Sequence, residues 1–165
     1  MTTKAAVAPL NGSGPTSPKA DVVSDILERE LQATITDWPA LVEKDPELSR
    51  ISLDFEQRTG HLPKLLHDVI ARLRLDEGTK APVSVAASHH GELRRSQGYT
   101  VAMVVDESRI LQDCIFSTLH KNETHLEFSK LLPDVVIIAD EVDAQLKQQV
   151  LCFPTSEVAN KQASD

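Results

Sequence analysis

Leu131-Leu132-Pro133-Asp134-Val135-Val136-Ile137-Ile138-Ala139-Asp140-Glu141 admits two readings, and the fold follows from which one holds. The β-branched run Val135 to Ile138, followed by an acidic pair, has the pattern of a buried parallel strand with carboxylates at its tip. The wider frame favours a helix. Leu131, Val135, Ile138, Val142, Leu146, Gln149 and Phe153 recur at spacings of four and three, a short coiled-coil-like seam. A parallel strand also requires neighbours, and the first half of the chain offers none. The chain therefore reads as all-α.

Working outward, Tyr99 to Val105 is rich in β-formers, yet it opens a longer helical stripe. Val101, Val104, Val105, Ser108, Leu111, Ile115 and Leu119 share one face, and Thr100 is placed to cap it. Thr124-His125-Leu126-Glu127 reads as a capping box for a last helix that reaches about Phe153 and is kinked or split at Pro133. Upstream, a helix from about Leu62 to Leu75 carries Leu62, Leu65, Leu66, Val69, Ile70 and Leu73. A polar helix from about Pro82 to Gln97 ends at Gly98, a left-handed cap. Val23, Leu27, Leu31, Ile35 and Trp38 mark a first helix, which Pro39 bends or restarts with Asp37 as its cap. Asp45-Pro46-Glu47 is a further start signal. The expectation is a single helical bundle of about five to six helices over residues 20–153. It lies between a disordered tail, 1–19, and a flexible one, 154–165.

Composition narrows the function. Of 165 residues, 41% are hydrophobic and only 4% aromatic, so the core is built from Leu, Val, Ile and Ala. The net charge is −8, and basic residues are scattered apart from Arg72/Arg74 and Arg94/Arg95. A nucleic-acid binder or an anionic-membrane binder would carry a basic stripe, so neither partner is expected. Cys114 and Cys152 have no metal-type spacing, and neither a secretory signal nor a membrane span is evident. Both thiols are expected free, and the protein cytoplasmic.

Few constellations carry chemistry. An acidic strand ending at Asp140 would suit a nucleotide hydrolase or a receiver domain. The hydrolase needs a phosphate loop and the receiver an earlier acidic pair and a later lysine, and none has a place here. His61 and His67 are six apart, His89 and His90 are adjacent, and His120 and His125 straddle a helix break. None forms a ligand motif, so no metal and no cofactor is expected. A haem- or metal-binding sensor would have to use His67, His89 or His90. There is no serine-hydrolase elbow, and Cys114 lies in an apolar helix, unfavourable for a thiolate. The chain is not expected to be an enzyme.

The most distinctive segment is His90-Gly91-Glu92-Leu93-Arg94-Arg95-Ser96-Gln97-Gly98-Tyr99, followed by Glu107-Ser108-Arg109-Ile110-Leu111. His90 and Arg94 are one turn apart on one face, Gly91 permits close approach of another helix, and Glu107 can reach Arg94 across the corner. His90, Arg94, Tyr99, Glu107 and Arg109 are therefore the candidates for an internal polar clasp or a ligand site.

The order His-Gly-x-x-Arg-x-x-x-Gly-Tyr and then Glu-x-Arg-x-Leu resembles the RsbRD-type N-terminal domain of stressosome co-antagonists and bacterial sensor histidine kinases. His61-Leu62-Pro63-Lys64-Leu65-Leu66 and Leu131-Leu132-Pro133-Asp134 resemble two more of its segments, so the similarity covers about Asp21 to Phe153. Gln112 departs from it, at a position where arginine is frequent. The resemblance implies an all-helical, distantly globin-like bundle without haem, with His61, Pro63, Gly91, Gly98 and Pro133 in structural roles. It implies a homodimeric input module in stress-response or two-component signalling, acting on a kinase, a STAS protein or an anti-sigma factor. Any kinase activity would belong to that partner or to a missing domain.

Overall fold

A computed structural model describes residues 22–76 and 78–154. The expected tail 1–19, and 155–165 of the other, lie outside the described residues. Val23–Arg29 (α1) and Leu31–Val42 (α2) form one broken helical run. The break falls at Glu30 (φ −92°, ψ 5°) and not at Pro39, which lies inside α2. The Thr34 hydroxyl donates back to the Glu30 carbonyl at 3.1 Å, a contact that bends helices. Asp37, inside α2, caps nothing and pairs with Lys121 at 3.1 Å. Asp45 does cap, accepting from the backbone N–H groups of Glu47 and Leu48, but it opens only the 3-10 turn Leu48–Arg50.

Phe55–Thr59 (α3) is a five-residue helix with no apolar periodicity to announce it; a capping box of Asp54 and Gln57 starts it. Leu62–Leu73 (α4) has Pro63 in its first turn and buries Leu62, Leu65, Leu66, Val69 and Ile70. Val85–Ser96 (α5) starts three residues after Pro82, because the Ser84 hydroxyl accepts from the Ala87 N–H at 3.0 Å. Gly98 follows at φ 87°, the left-handed conformation its position suggests. Val101–Lys121 (α6) is capped by Thr100.

Phe128–Val150 (α7) runs unbroken through Pro133. The capping box proposed for Thr124–Glu127 does not form. Glu123–His125 is a 3-10 turn, and the Glu127 carboxylate is taken by Lys130 (2.7 Å) and Ser129 (2.8 Å). Both β-branched stretches are thus helical, and the described residues contain no strand. The helix penalty of Val and Ile is a few tenths of a kcal/mol each, whereas burying such a side chain stabilises by about 1.5–3 kcal/mol. Packing decides.

The layers follow from the contacts. The run α1–α2 lies on α6, α4 lies between α1 and α7, and α5 lies on α7. The short connection between α6 and α7 makes them antiparallel neighbours. Trp38, Val42, Leu48, Val69, Val104, Ile115 and Ile138 are fully enclosed at the centre. The seam of α7 faces this core: Ile138, Val142 and Gln149 are buried, and Leu131, Leu146 and Phe153 pack against it. A different stripe is left outside. Phe128, Leu132 and Val136, four residues apart, are 72%, 56% and 59% exposed. No described helix is long and apolar enough to cross a membrane.

Candidate functional site: a buried polar clasp

Four of the five clasp candidates meet at Glu107, one turn and a half into α6. Arg94 donates from Nε to Glu107 Oε2 at 2.9 Å, and its Nη2 lies 2.8 Å from Oε1. His90 donates from Nε2 to Oε2 at 3.1 Å, and the Tyr99 hydroxyl donates to Oε1 at 3.3 Å. Three hydrogen bonds and the close Arg94 Nη2 thus engage both oxygens of Glu107. The Arg94 guanidinium lies 4.9 Å from the centre of the Tyr99 ring, adding a cation–π contact. Its remaining N–H groups donate to the Gln57 carbonyl (3.1 Å), the Arg58 carbonyl (2.8 Å) and Gln97 Oε1 (2.7 Å). These two carbonyls are at the C-terminal end of α3, where a cation is favoured and the backbone otherwise lacks partners.

Arg109 is not part of the cluster. Two residues along α6 from Glu107, it points elsewhere and is exposed. His61, expected only in a structural role, joins the cluster, which the sequence did not suggest. Its ring, at the residue preceding α4, stacks on His90 with centroids 3.7 Å apart and planes 15° from parallel. Trp38 meets the His61 ring edge-on at 6.0 Å. The Nδ1 atoms of both histidines are buried without a hydrogen-bond partner among the described residues. No periodicity marks this pair, because it forms between helices that are distant in sequence.

The electrostatics follow from burial. Desolvation pushes Glu107 up, but the hydrogen bond from His90 and the charge of Arg94 outweigh it and hold the carboxyl below its usual range. Burial, then His90 and Arg94, hold His61 well below the ordinary histidine value. Burial likewise lowers His90, against the opposing pull of Glu107. Burial and the Glu107 charge push the Tyr99 hydroxyl up to about 12.

One nitrogen each from His61 and His90 and one Glu107 oxygen lie within 4.8 Å of one another. They do not suit a metal ion. The lone pairs of two nearly parallel rings run side by side and do not converge, and Arg94 already neutralises Glu107. The adjoining cavity, between Trp38, His61, His90 and Gln149, is about 10 Å³. That is the lower limit for a single water, so no substrate enters.

The other candidates are dispersed. His67 and His89 are exposed and line an open groove of about 750 Å³ between α4 and α5, together with Lys64 and Leu93. Asp140 is exposed on α7 and has no strand beneath it. Burial, then Asp37 and Asp113, push the Cys114 thiol up to about 11, the reverse of an activated nucleophile. Gly91 lies against the α7 backbone at Gln149, and Cys152 Sγ donates to the Ser88 carbonyl at 3.3 Å, so the clasp helix α5 is held on α7. Comparison with protein-family models, with curated proteins and with solved structures returned no match for this chain.

Proposed function

We propose that this chain is a non-catalytic sensory or regulatory module of bacterial signal transduction. It works by self-association and helix repacking, in the manner implied by its resemblance to RsbRD-type domains. One observation carries the reading: the most distinctive polar residues, His90, Arg94, Tyr99 and Glu107, are spent on one another. They join α3, α5 and α6 where no substrate reaches. A buried polar network of this kind specifies a helix arrangement, and an arrangement that can change is a signal. The output passes to a kinase, a STAS protein or an anti-sigma factor in the cytoplasm.

The module associates with a second copy of itself through the exposed stripe of Phe128, Leu132 and Val136, not through the seam, which faces inward. Sedimentation over a range of concentrations tests this. The native chain should show a dimer and Leu132→Asp a monomer of unchanged helicity. Monomer throughout for both chains counts against the proposal.

The α4–α5 groove favours a second reading, a haem- or metal-binding sensor, since His67 and His89 line it together. Purified protein with a Soret band or stoichiometric metal would establish it, and the absence of both after reconstitution would end it.

A further inference from the structure

We propose that the stacked pair His61–His90 is a proton-operated latch, which holds the α3–α4 corner on α5 while both rings are neutral and releases it when His61 takes a proton.

The geometry carries this. Two imidazoles 3.7 Å apart cannot both be charged, since like charges at that distance repel strongly. A proton on His61 finds no carboxylate hydrogen-bonded to its ring among the described residues, whereas His90 already has Glu107. Around the pair stand Trp38 from α2, Arg94 from α5 and Glu107 from α6, with His89 next to His90. Arg94 is positive, and Glu107 is already paired with it and hydrogen-bonded by His90 and Tyr99. Glu56, Lys64, His67 and Asp68 lie along the open groove that His61 borders, and Asp68 is engaged by Ser84. A protonated His61 therefore gains by leaving the stack for that groove, where water solvates it.

The corner that would move is already defined. His61 immediately precedes α4, and Arg94 holds the last carbonyls of α3. Losing the stack takes away one of the contacts that hold this corner on α5 and leaves the Arg94 bonds to α3 and the Ser84–Asp68 bond to α4. The α6–α7 pair, whose helices also pack on each other and on α1, α2 and α4, stays in place. The lowered histidine values agree in sign. Both rings stay neutral when closed, and an opened ring titrates near 6.5, so acid favours the open form.

The latch supplies a stimulus for the regulatory module proposed above, and to that extent it rests on that reading. Its titration does not. Trp38 is the only tryptophan of the chain and touches His61, so it reports the ring directly, because imidazolium quenches indole fluorescence. The full chain is titrated from neutral pH to about 5, the range in which histidines change charge. Trp38 emission should fall with a midpoint below 6.5. Over the same range the amides of Arg58 and Gly60, bonded within α3, should lose about tenfold in protection per pH unit, while α6 and α7 remain protected. His61→Phe should abolish both changes, with His61→Gln as the second variant where Phe does not fold. Flat emission and protection in the native chain, an unaltered titration in a folded variant, or loss of protection everywhere at one pH would each overturn the latch. Sedimentation, read separately, decides the regulatory reading.

Discussion

Gly91 of α5 lies so close to Gln149 of α7 that a Cβ at 91 would stand 2.5 Å from the Gln149 carbonyl oxygen and 2.7 Å from its Cα. The neighbour is helical backbone, which cannot swing aside. In an open helix, alanine gains about 1 kcal/mol over glycine, while overpacking a close contact costs about 1–3 kcal/mol. Because the clash is with backbone, the cost lies toward the upper end, and Gly91→Ala should destabilise by up to about 2 kcal/mol net, seen as a lower denaturation midpoint with unchanged slope. A gain in stability would show that α5 and α7 are further apart than described.

Gly98 makes the contrasting case. Nothing stands within 4 Å of a Cβ there, but the backbone is at φ 87°. The cost of a side chain is conformational, about 1–2 kcal/mol for alanine. Asparagine tolerates the left-handed region, so Gly98→Asn should recover part of the loss. Equal stability of the two variants in chemical denaturation would remove the conformational account.

The elements with the strongest apolar period, α4, α6 and α7, are legible from the chain, because a face that buries Leu65 or Ile115 must recur with the helical repeat. Their ends are less so. At the break at Glu30 the Thr34 hydroxyl bonds back locally and also meets Thr118 of α6, and at the start at Phe128 the neighbouring Lys130 competes for the Glu127 carboxylate. In the clasp, His90, Arg94, Tyr99 and Glu107 are adjacent enough to be anticipated by helix geometry. His61, Gln57 and Arg58 join from a separate element, and nothing local encodes a stack between rings 29 positions apart (90 − 61). The side on which α7 is exposed was not legible either, since Leu131 and Leu132 look alike until the rest of the core is in place.

Truncating Arg94 tests the clasp itself. Arg94→Ala would leave Glu107 buried without its cation, and breaking such a pair typically costs about 3–5 kcal/mol. Arg94→Lys should rescue little, because an ammonium cannot span Glu107 and the two α3 carbonyls in one plane. Combined with Glu107→Gln, the loss should be smaller than the sum of the two single losses by about 0.5–3 kcal/mol. Additive losses in thermal unfolding would mean that the two residues act independently.

Tyr99 provides a probe at the opposite end of the pH scale. It is the only tyrosine, its hydroxyl donates to Glu107, and burial followed by that negative charge push it up to about 12. The folded state therefore holds a proton that the unfolded chain gives up near 10.0. The stability this bond contributes is complete below pH 10.0 and declines as pH rises toward about 12. Tyrosinate absorbance of the folded chain should stay flat through pH 10.0, then rise together with the loss of helical circular dichroism. Glu107→Gln removes the charge that opposes ionisation, so tyrosinate should then form at lower pH. If the native chain shows an ordinary titration near 10.0 with its helices intact, the Tyr99 hydroxyl faces water and is not bonded to Glu107.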